Sequence, residues 1–443
     1  MFDEYLSHNL FSKGVERFLQ GDPNLLSLQG IPFIHPMDWW QPLDWKIPGI
    51  YILTGGRQIG KTTSTKLLFK HLLTNRLFDP SELFYLPCDQ IDSHQQLGRI
   101  VRQILEELTK SSGKFLLVID EVTYVKEWDK AIKLLADEGW FRKGLCILTG
   151  SDSVILKEAM SRFPGRRGEA NRTDFHLRPL SFYETVLLTD PKMLQLEKIP
   201  VVEILARFQR FCRSGGYLKA INEIHVKGEI SDATYRTFEQ WIQGDFEKRG
   251  KSSHMLLGIL KNIVETTSSQ ITYSSLTQRM GEISKETFLD YCHLLERMDV
   301  LFNLQAFDQN KKIGFPKKAR KLHFWDPFIM DTIARWLHRE RMIQEPIFPE
   351  PSKVESIVAA HCMAKFPTYY AKGKGEVDVI AVHADGIHAM EIKWTKQLRP
   401  FDLQELKKFQ HPLILSKEHE GTMNEIPVQA LPVFLLQLGR DLI

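Results

Sequence analysis

Two hydrophobic periods alternate along this 443-residue chain, and the switches between them mark out its elements. Continuous apolar runs at Ile50-Tyr51-Ile52-Leu53, Leu83-Phe84-Tyr85-Leu86, Phe115 to Ile119 and Leu145-Cys146-Ile147-Leu148 read as strands of a parallel sheet covered on both faces. Helical spacing over Thr63 to Phe69 and Gln95 to Leu108 lies between the first three of them. Tyr5, Leu6, Leu10, Val15, Phe18 and Leu19 predict one amphipathic helix over 2–20, stopped by Gly21-Asp22-Pro23. Residues 185–252 are helical in pattern, with Val201 to Phe211 and Ala233 to Phe246 the clearest stretches. From His254 to Leu304 the pattern gives three short helices, the third capped by Ser284, and then a strand opening at Val300; this order suggests a helix-turn-helix with the start of a wing. Near the C-terminus, Gly375 to His383 and Ile387 to Trp394 flank Ala384-Asp385-Gly386, an aspartate-glycine hairpin signal.

The first strand runs into Gly55-Gly56-Arg57-Gln58-Ile59-Gly60-Lys61-Thr62, followed by Thr63 and the predicted helix. This is the full phosphate-binding loop in its required strand, loop and helix context. The glycines let backbone N–H groups turn inward around phosphate at a helix N-terminus. Lys61 would reach the β- and γ-phosphates of ATP, and the Thr62 hydroxyl would coordinate Mg²⁺. The strand ending in Ile119-Asp120-Glu121 adds the second half of the signature: Asp120 as Mg²⁺ ligand and Glu121 as the group that orients the attacking water. At the next strand end, Ser151, or failing it Thr149, would sense the γ-phosphate, although an ordinary turn explains the same residues. In the basic loop Ser161 to Gly168, Arg166 or Arg167 would serve as an arginine finger in cis or from a neighbouring subunit; a solvated loop accounts for it equally.

Composition narrows the setting. Hydrophobic residues make up 43% and charged residues 26%, an ordinary globular balance sufficient for about three domains. The formal charge of +3 leaves any DNA site to local patches. Five scattered cysteines without CxxC spacing argue against a disulfide framework or zinc site and for a reducing compartment. With neither a leader pattern nor a membrane-length apolar run, a cytoplasmic protein is expected. The stretch Lys311 to Lys321, with six basic residues and no acid, would line a phosphate backbone, although such loops are commonly just solvated. Three tryptophans, Trp39, Trp40 and Trp45, read as packing groups ahead of a base-stacking surface.

These motifs, with Leu148-Thr149-Gly150-Ser151, Gly165-Arg166, Leu177 to Glu184 and Ser214-Gly215-Gly216-Tyr217, resemble the prokaryotic AAA-type P-loop ATPases that carry a C-terminal nuclease-like domain. The resemblance implies an α/β fold: a RecA-like αβα core, a helical lid, a winged helix and a restriction-endonuclease-like C-terminal αβ domain. The expected divisions are an N-terminal extension at 1–33, an ATPase core at 34–190, a lid at 191–252, a winged-helix region at 253–312 and the C-terminal domain at 313–443.

Strand alternation in the C-terminal hairpin puts Glu376 and Asp378 on one face, nearly opposite Glu391 and Lys393. Asp378 and Glu391 would hold Mg²⁺, with Lys393 steadying the attacking water. The same spacing is similar to restriction-endonuclease-like and archaeal-type resolvase domains, in which Glu355 matches the acid on the first helix. Two functions follow as expectations: an ATPase coupled to DNA cleavage at Asp378, Glu391 and Lys393, or an ATP-driven switch whose C-terminal module binds DNA or protein without cutting. A homo-oligomer or protein partner stays open.

Overall fold

A computed structural model describes residues 3–110, 114–150, 156, 165–196, 199–281, 283–394 and 400–440. It divides into two compact units, Met1–Arg178 and Pro179–Ile443, so the first ends earlier than the expected 190. No helix among the described residues is long and apolar enough to cross a membrane. All five cysteines are buried and free.

In the first unit, β1 (Gly49–Gly55), β2 (Leu83–Pro87), β3 (Leu116–Asp120), β4 (Leu145–Gly150) and β5 (Asp174–Leu177) form one parallel sheet in the order β2-β3-β4-β1-β5. Every residue of β1, β3 and β4 is buried, which is why these strands read as unbroken apolar runs. The helices α3 (Lys61–Thr74), α4 (His94–Leu108) and α5 (Trp128–Asp137) connect them. Since β4 lies between β1 and β3, the tips of these three strands meet at one C-terminal edge.

The N-terminal segment departs from the single helix expected over 2–20. It forms two 3₁₀ turns, Asp3–His8 and Leu10–Lys13, then α1 (Val15–Gly21) and α2 (Pro23–Leu26). Gly14, at φ 122°, breaks the run. Asn9 is drawn away as well: its carboxamide accepts from the Tyr85 N–H at 2.7 Å and donates to the Tyr85 carbonyl at 2.9 Å, closing the free side of edge strand β2. The buried Lys66 ammonium lies 3.2 Å from Asp22 and 3.7 Å from the Tyr85 ring centroid, and donates to the His8 carbonyl at 2.7 Å. Burial lowers its pKa and Asp22 opposes that shift. The tryptophans pack: Trp39 donates to Ser64 Oγ at 3.0 Å and Trp45 meets Phe78 edge-on.

The second unit begins with α6 (Phe182–Thr189), α7 (Val201–Ser214), α8 (Leu218–Lys227) and α9 (Asp232–Glu247). Gly215 and Gly216 between α7 and α8 are required by close approach. A Cβ on Gly216 would meet the Leu180 carbonyl oxygen at 2.0 Å, and Gly215 sits at φ 54° against Asp326. Then come α10 (Ser253–Thr266), an isolated bridge from Ile271 to Arg320, α11 (Tyr273–Met280), α12 (Lys285–Arg297) and the hairpin of β6 (Leu301–Asp308) with β7 (Ile313–Phe324). Ser284 caps α12, accepting from the Thr287 N–H at 3.1 Å.

After α13 (Pro327–Arg339) and α14 (Glu350–Met363) the chain adds β8 (Thr368–Lys372), β9 (Glu376–His383), β10 (Gly386–Lys393), α15 (Pro400–Leu406), β11 (His411–Ser416), β12 (Gly421–Met423), β13 (Ile426–Ala430) and α16 (Leu431–Arg440). One eight-stranded sheet runs β12-β13-β11-β10-β9-β8-β6-β7. The expected boundary at 312/313 therefore falls inside the β6–β7 turn and cuts a hairpin, because the hairpin belongs to the C-terminal sheet.

Asp326, the N-cap of α13, is fully enclosed and accepts from the N–H groups of Gly216 and Phe328 at 2.8 Å each. Burial pushes its carboxyl up to about 7, against the hydrogen bonds that favour the anion. The folded state then holds a proton that the unfolded chain releases near pH 4, so this contribution is complete below that pH and is lost as pH rises through about 7. We expect the difference in unfolding free energy between the wild type and Asp326→Asn to change by up to about 1.4 kcal/mol per pH unit within that window. Parallel urea-denaturation series that show a pH-independent difference would refute the assignment.

Candidate functional site

The first site lies at the C-terminal edge of the first sheet. Gly55 to Thr63 run from the tip of β1 through the loop into the first turn of α3. Gly55, Gln58 and Gly60 take φ values of 152°, 62° and 96°, which curl the loop. A Cβ on Gly55 would meet the Leu177 carbonyl oxygen at 2.7 Å, so this glycine is fixed by packing as well as by its backbone angle. Gly56, Arg57 and Ile59 complete the loop, and Lys61 and Thr62 open the helix. The Lys61 ammonium donates to the carbonyls of Gly55 at 2.9 Å and Gly56 at 3.1 Å, and lies 3.6 Å from Glu121.

Three hydroxyls converge on Asp120, which is 5% exposed. Thr62 donates to Oδ2 at 2.8 Å, Tyr85 to the same oxygen, and Thr149 to Oδ1. Thr149 Oγ1 also accepts from the Glu121 N–H at 3.0 Å, so β4 ties the acidic pair in place. Burial, then the charge on Asp120, holds the Tyr85 phenol far above its usual range and keeps it a donor. Glu121 sits in the left-handed region at φ 51°, a strained conformation for a non-glycine residue. It bends the chain at the tip of β3 and leaves the carboxylate beside Lys61.

Thr62 and Asp120 thus stand adjacent and fit a shared divalent cation. Tyr85 escaped the sequence reading because it lies inside an apolar run, where its hydroxyl leaves no mark. Ser151, the expected sensor, lies outside the described residues; Thr149 holds the hydrogen-bonded position. Arg166 stands away from the phosphate-binding loop of its own chain. It pairs with Asp137 and lies beside Ile47, Pro48 and Gly168, while Gly168 bridges to Gly49 at the start of β1. That is the N-terminal edge of the sheet, a full strand length from the loop, so Arg166 does not reach its own P-loop. Arg167 pairs with Asp174 at 2.8 Å near the same side.

The second site lies in the other unit. The β9–β10 register runs from Gly386↔His383 to Met390↔Val379 and stops one pair short of Glu391 and Asp378. Asp378 Oδ2 accepts from the Ile392 N–H at 2.9 Å, and Lys393 pairs with Glu391 at 2.6 Å. Glu355 reaches the group from α14. At the centre stands a residue the sequence reading assigned elsewhere: Lys321 is 0% exposed, and its ammonium lies 2.8 Å from Glu355, 2.6 Å from Glu376 and 3.3 Å from Asp378.

Burial opposes the charge on Lys321, but Glu355, Asp378 and Glu376 together outweigh it and hold the pKa well above the ordinary lysine value. Burial raises the Glu355 carboxyl, the charge of Lys321 pulls it back, and Asp378 adds to the rise. His323 lies beside them on β7, held neutral by burial and by Lys321. The basic stretch 311–321 is accordingly not one loop. Lys311 and Lys312 are exposed at the hairpin turn and Lys318 is exposed on β7; Arg320 lies over the Tyr273 ring at 4.1 Å, and Lys321 turns inward. A bulge between Gln305 and Ala306 interrupts the ladder opposite residues 316–319, which admits Pro316 to a strand.

Comparison with known proteins agrees with the first site. Residues 48–186 match the family model of an AAA domain, and residues 205–340 match a domain of unknown function, DUF8612. Two uncharacterized proteins of Methanocaldococcus jannaschii are each 22% identical. MJ1637 aligns over 75% of this chain and 72% of its own length, and MJ1544 over 60% and 59%. Among solved structures, a Walker-type ATPase of Pyrococcus abyssi is similar at 14% identity and a TM-score of 0.45, covering 67% of this chain and 94% of its own. The ORC1 protein of Aeropyrum pernix in complex with DNA gives 10% identity and 0.35, covering 72% and 98%. The ORC2 protein of that organism, in its ADPNP-ADP complexes, gives 14% and 0.38, covering 70% and 93%. The match to an AAA domain thus spans the phosphate-binding loop and the acidic strand end of the parallel sheet, and the second unit carries a separate C-terminal sheet.

Proposed function

We propose that the first unit binds ATP with Mg²⁺ and hydrolyses it, and that the second unit is a DNA-associating module switched by that cycle. The observation that carries the first part is the meeting of Lys61, Thr62, Asp120, Glu121 and Thr149 at one sheet edge. Lys61 would leave the Gly55 and Gly56 carbonyls for the β- and γ-phosphates, the N-terminus of α3 would face the same anion, and Glu121 would orient the attacking water. Thr62 and Asp120 would hold Mg²⁺, which supplies charge neutralisation between the phosphates. Glu121→Gln keeps the shape and removes the base; we expect nucleotide binding to persist and turnover to fall by about 10²-fold or more. Phosphate release at the wild-type rate would refute the role of Glu121.

For the second unit, the order helix, bridge, helix, helix and hairpin supports a winged-helix reading, and Lys311, Lys312 and Lys318 supply an exposed basic surface for a phosphate backbone. In the nuclease reading, Glu355, Asp378 and Glu391 would hold Mg²⁺ with Lys393 beside them. Mg²⁺ there would polarise a phosphodiester, and Lys393 would steady the attacking water. The ammonium of Lys321 already pairs with Glu355 and Asp378, together with Glu376, and this favours the non-cutting switch over a live nuclease in this conformation. Incubation with branched, single-stranded and duplex DNA, with Mg²⁺ and with or without ATP, should give salt-sensitive binding without cleavage. Cleavage that disappears in Glu391→Ala would overturn that preference and establish the nuclease.

A further inference from the structure

Far along β9 from the acid cluster, three imidazoles stand in a row across three adjacent strands. His388 on β10 is in direct register with His411 on β11, and His383, at the end of β9, is its diagonal neighbour on the other side. The rings stack at centroid distances of 4.0 Å between His383 and His388 and 4.4 Å between His388 and His411, with Phe366 against the far side of His383 at 3.6 Å. The turn between β9 and β10 brings in one carboxylate: Asp385 Oδ1 lies 3.0 Å from His388 Nε2. One ligand atom each from His383, Asp385 and His388 can be chosen so that all three lie within 4.8 Å of one another.

We infer that His383, Asp385 and His388 form a binding site for a divalent first-row transition ion of the Zn²⁺ class, seated on the β9–β10 hairpin. This site is separate from both centres described above and goes beyond the proposed function.

Its chemistry follows from the donor set. Two imidazoles with one carboxylate match a zinc or iron triad and not a magnesium site, which calls for oxygen ligands. Bond lengths near 2.1 Å place tetrahedral donors about 3.4 Å apart, so ligand atoms that now lie within 4.8 Å of one another must draw closer around an ion. The platform is stiff: the Ile387 N–H donates to Gln410 Oε1 at 3.1 Å, and His411 Nε2 lies 3.4 Å from the Asp385 carbonyl oxygen, locking the turn onto β11. Three protein donors leave a further position for water.

The test uses tag-free, chelator-stripped full-length protein titrated with Zn²⁺ by calorimetry and with Co²⁺ by visible absorption. We expect one saturable equivalent that excess Mg²⁺ does not displace, with affinity weakened at least tenfold in His388→Ala and in Asp385→Asn. Thermal melting in chelator should be unchanged for Asp385→Asn, whose side chain is exposed, which separates lost ligation from lost folding. Absence of saturable binding by the wild type, or unchanged affinity in a His383→Ala, His388→Ala double variant, would overturn the assignment.

Discussion

Lys321→Met is expected to destabilise the second unit by about 3–5 kcal/mol in chelator, and millimolar Mg²⁺ or Mn²⁺ should restore much of the loss. Removing one partner from a buried ionic group costs far more than the net worth of the intact group, because uncompensated charge stays behind. Here Glu355, Glu376 and Asp378 all lie within 3.3 Å of the ammonium that would be deleted. A divalent ion would neutralise the same oxygens and bind the folded state alone, so its rescue would grow with concentration as mass action requires. Urea denaturation with and without the cation measures both effects. A loss below about 1 kcal/mol would show that the carboxylates do not depend on Lys321. A full loss with no cation rescue would show that they depend on an ammonium but do not form a metal site.

Lys61→Ala should lower ATP turnover by on the order of 10²-fold or more and weaken nucleotide binding, with little effect on thermal stability. The ammonium is held at the loop 3.1 Å or less from two of its carbonyls. Its removal takes away charge stabilisation aimed at the phosphates where negative charge develops. Glu121 would also lose the partner at 3.6 Å, so water orientation should suffer as well. Phosphate-release kinetics beside fluorescent-nucleotide binding separate the two effects, and turnover within about threefold of the wild type would remove the catalytic assignment of the loop.

How far the chain could be read depended on whether a group's partners are local. Gly55 to Thr62 and Ile119 to Glu121 were legible because strand, loop and acid follow one another in sequence. The hairpin around Asp385 was legible because strand alternation fixes which side chains face together. Lys321 was not, since its partners lie at 355, 376 and 378, and a lysine within a basic run shows no sign of its face. Reading β7 as a strand would have paired Lys321 with His323 on one side and set Arg320 on the other, but Gly314 and Pro316 disguise the strand as a loop. Tyr85 was hidden in the same way, 35 residues from Asp120. The break at Gly14 was missed because helical spacing continues across it, while the Asn9 carboxamide answers to an edge strand that no local pattern announces. Ser214 to Tyr217 stood out as a motif, yet its reason, the approach of Leu180 and Asp326, comes from two distant segments.

Arg320 and Lys321 are consecutive residues on opposite faces of β7. The backbone of Arg320 bonds Ile271 in both directions, at 2.8 and 2.9 Å, and its guanidinium covers Tyr273 at the start of α11, while Lys321 reaches the acid cluster behind. The strand therefore works as a lever whose two arms are separated by one residue rise, about 3.3 Å. A fragment cut at 312 would part β6 from β7 and so lose the pairing of the strand that carries both residues.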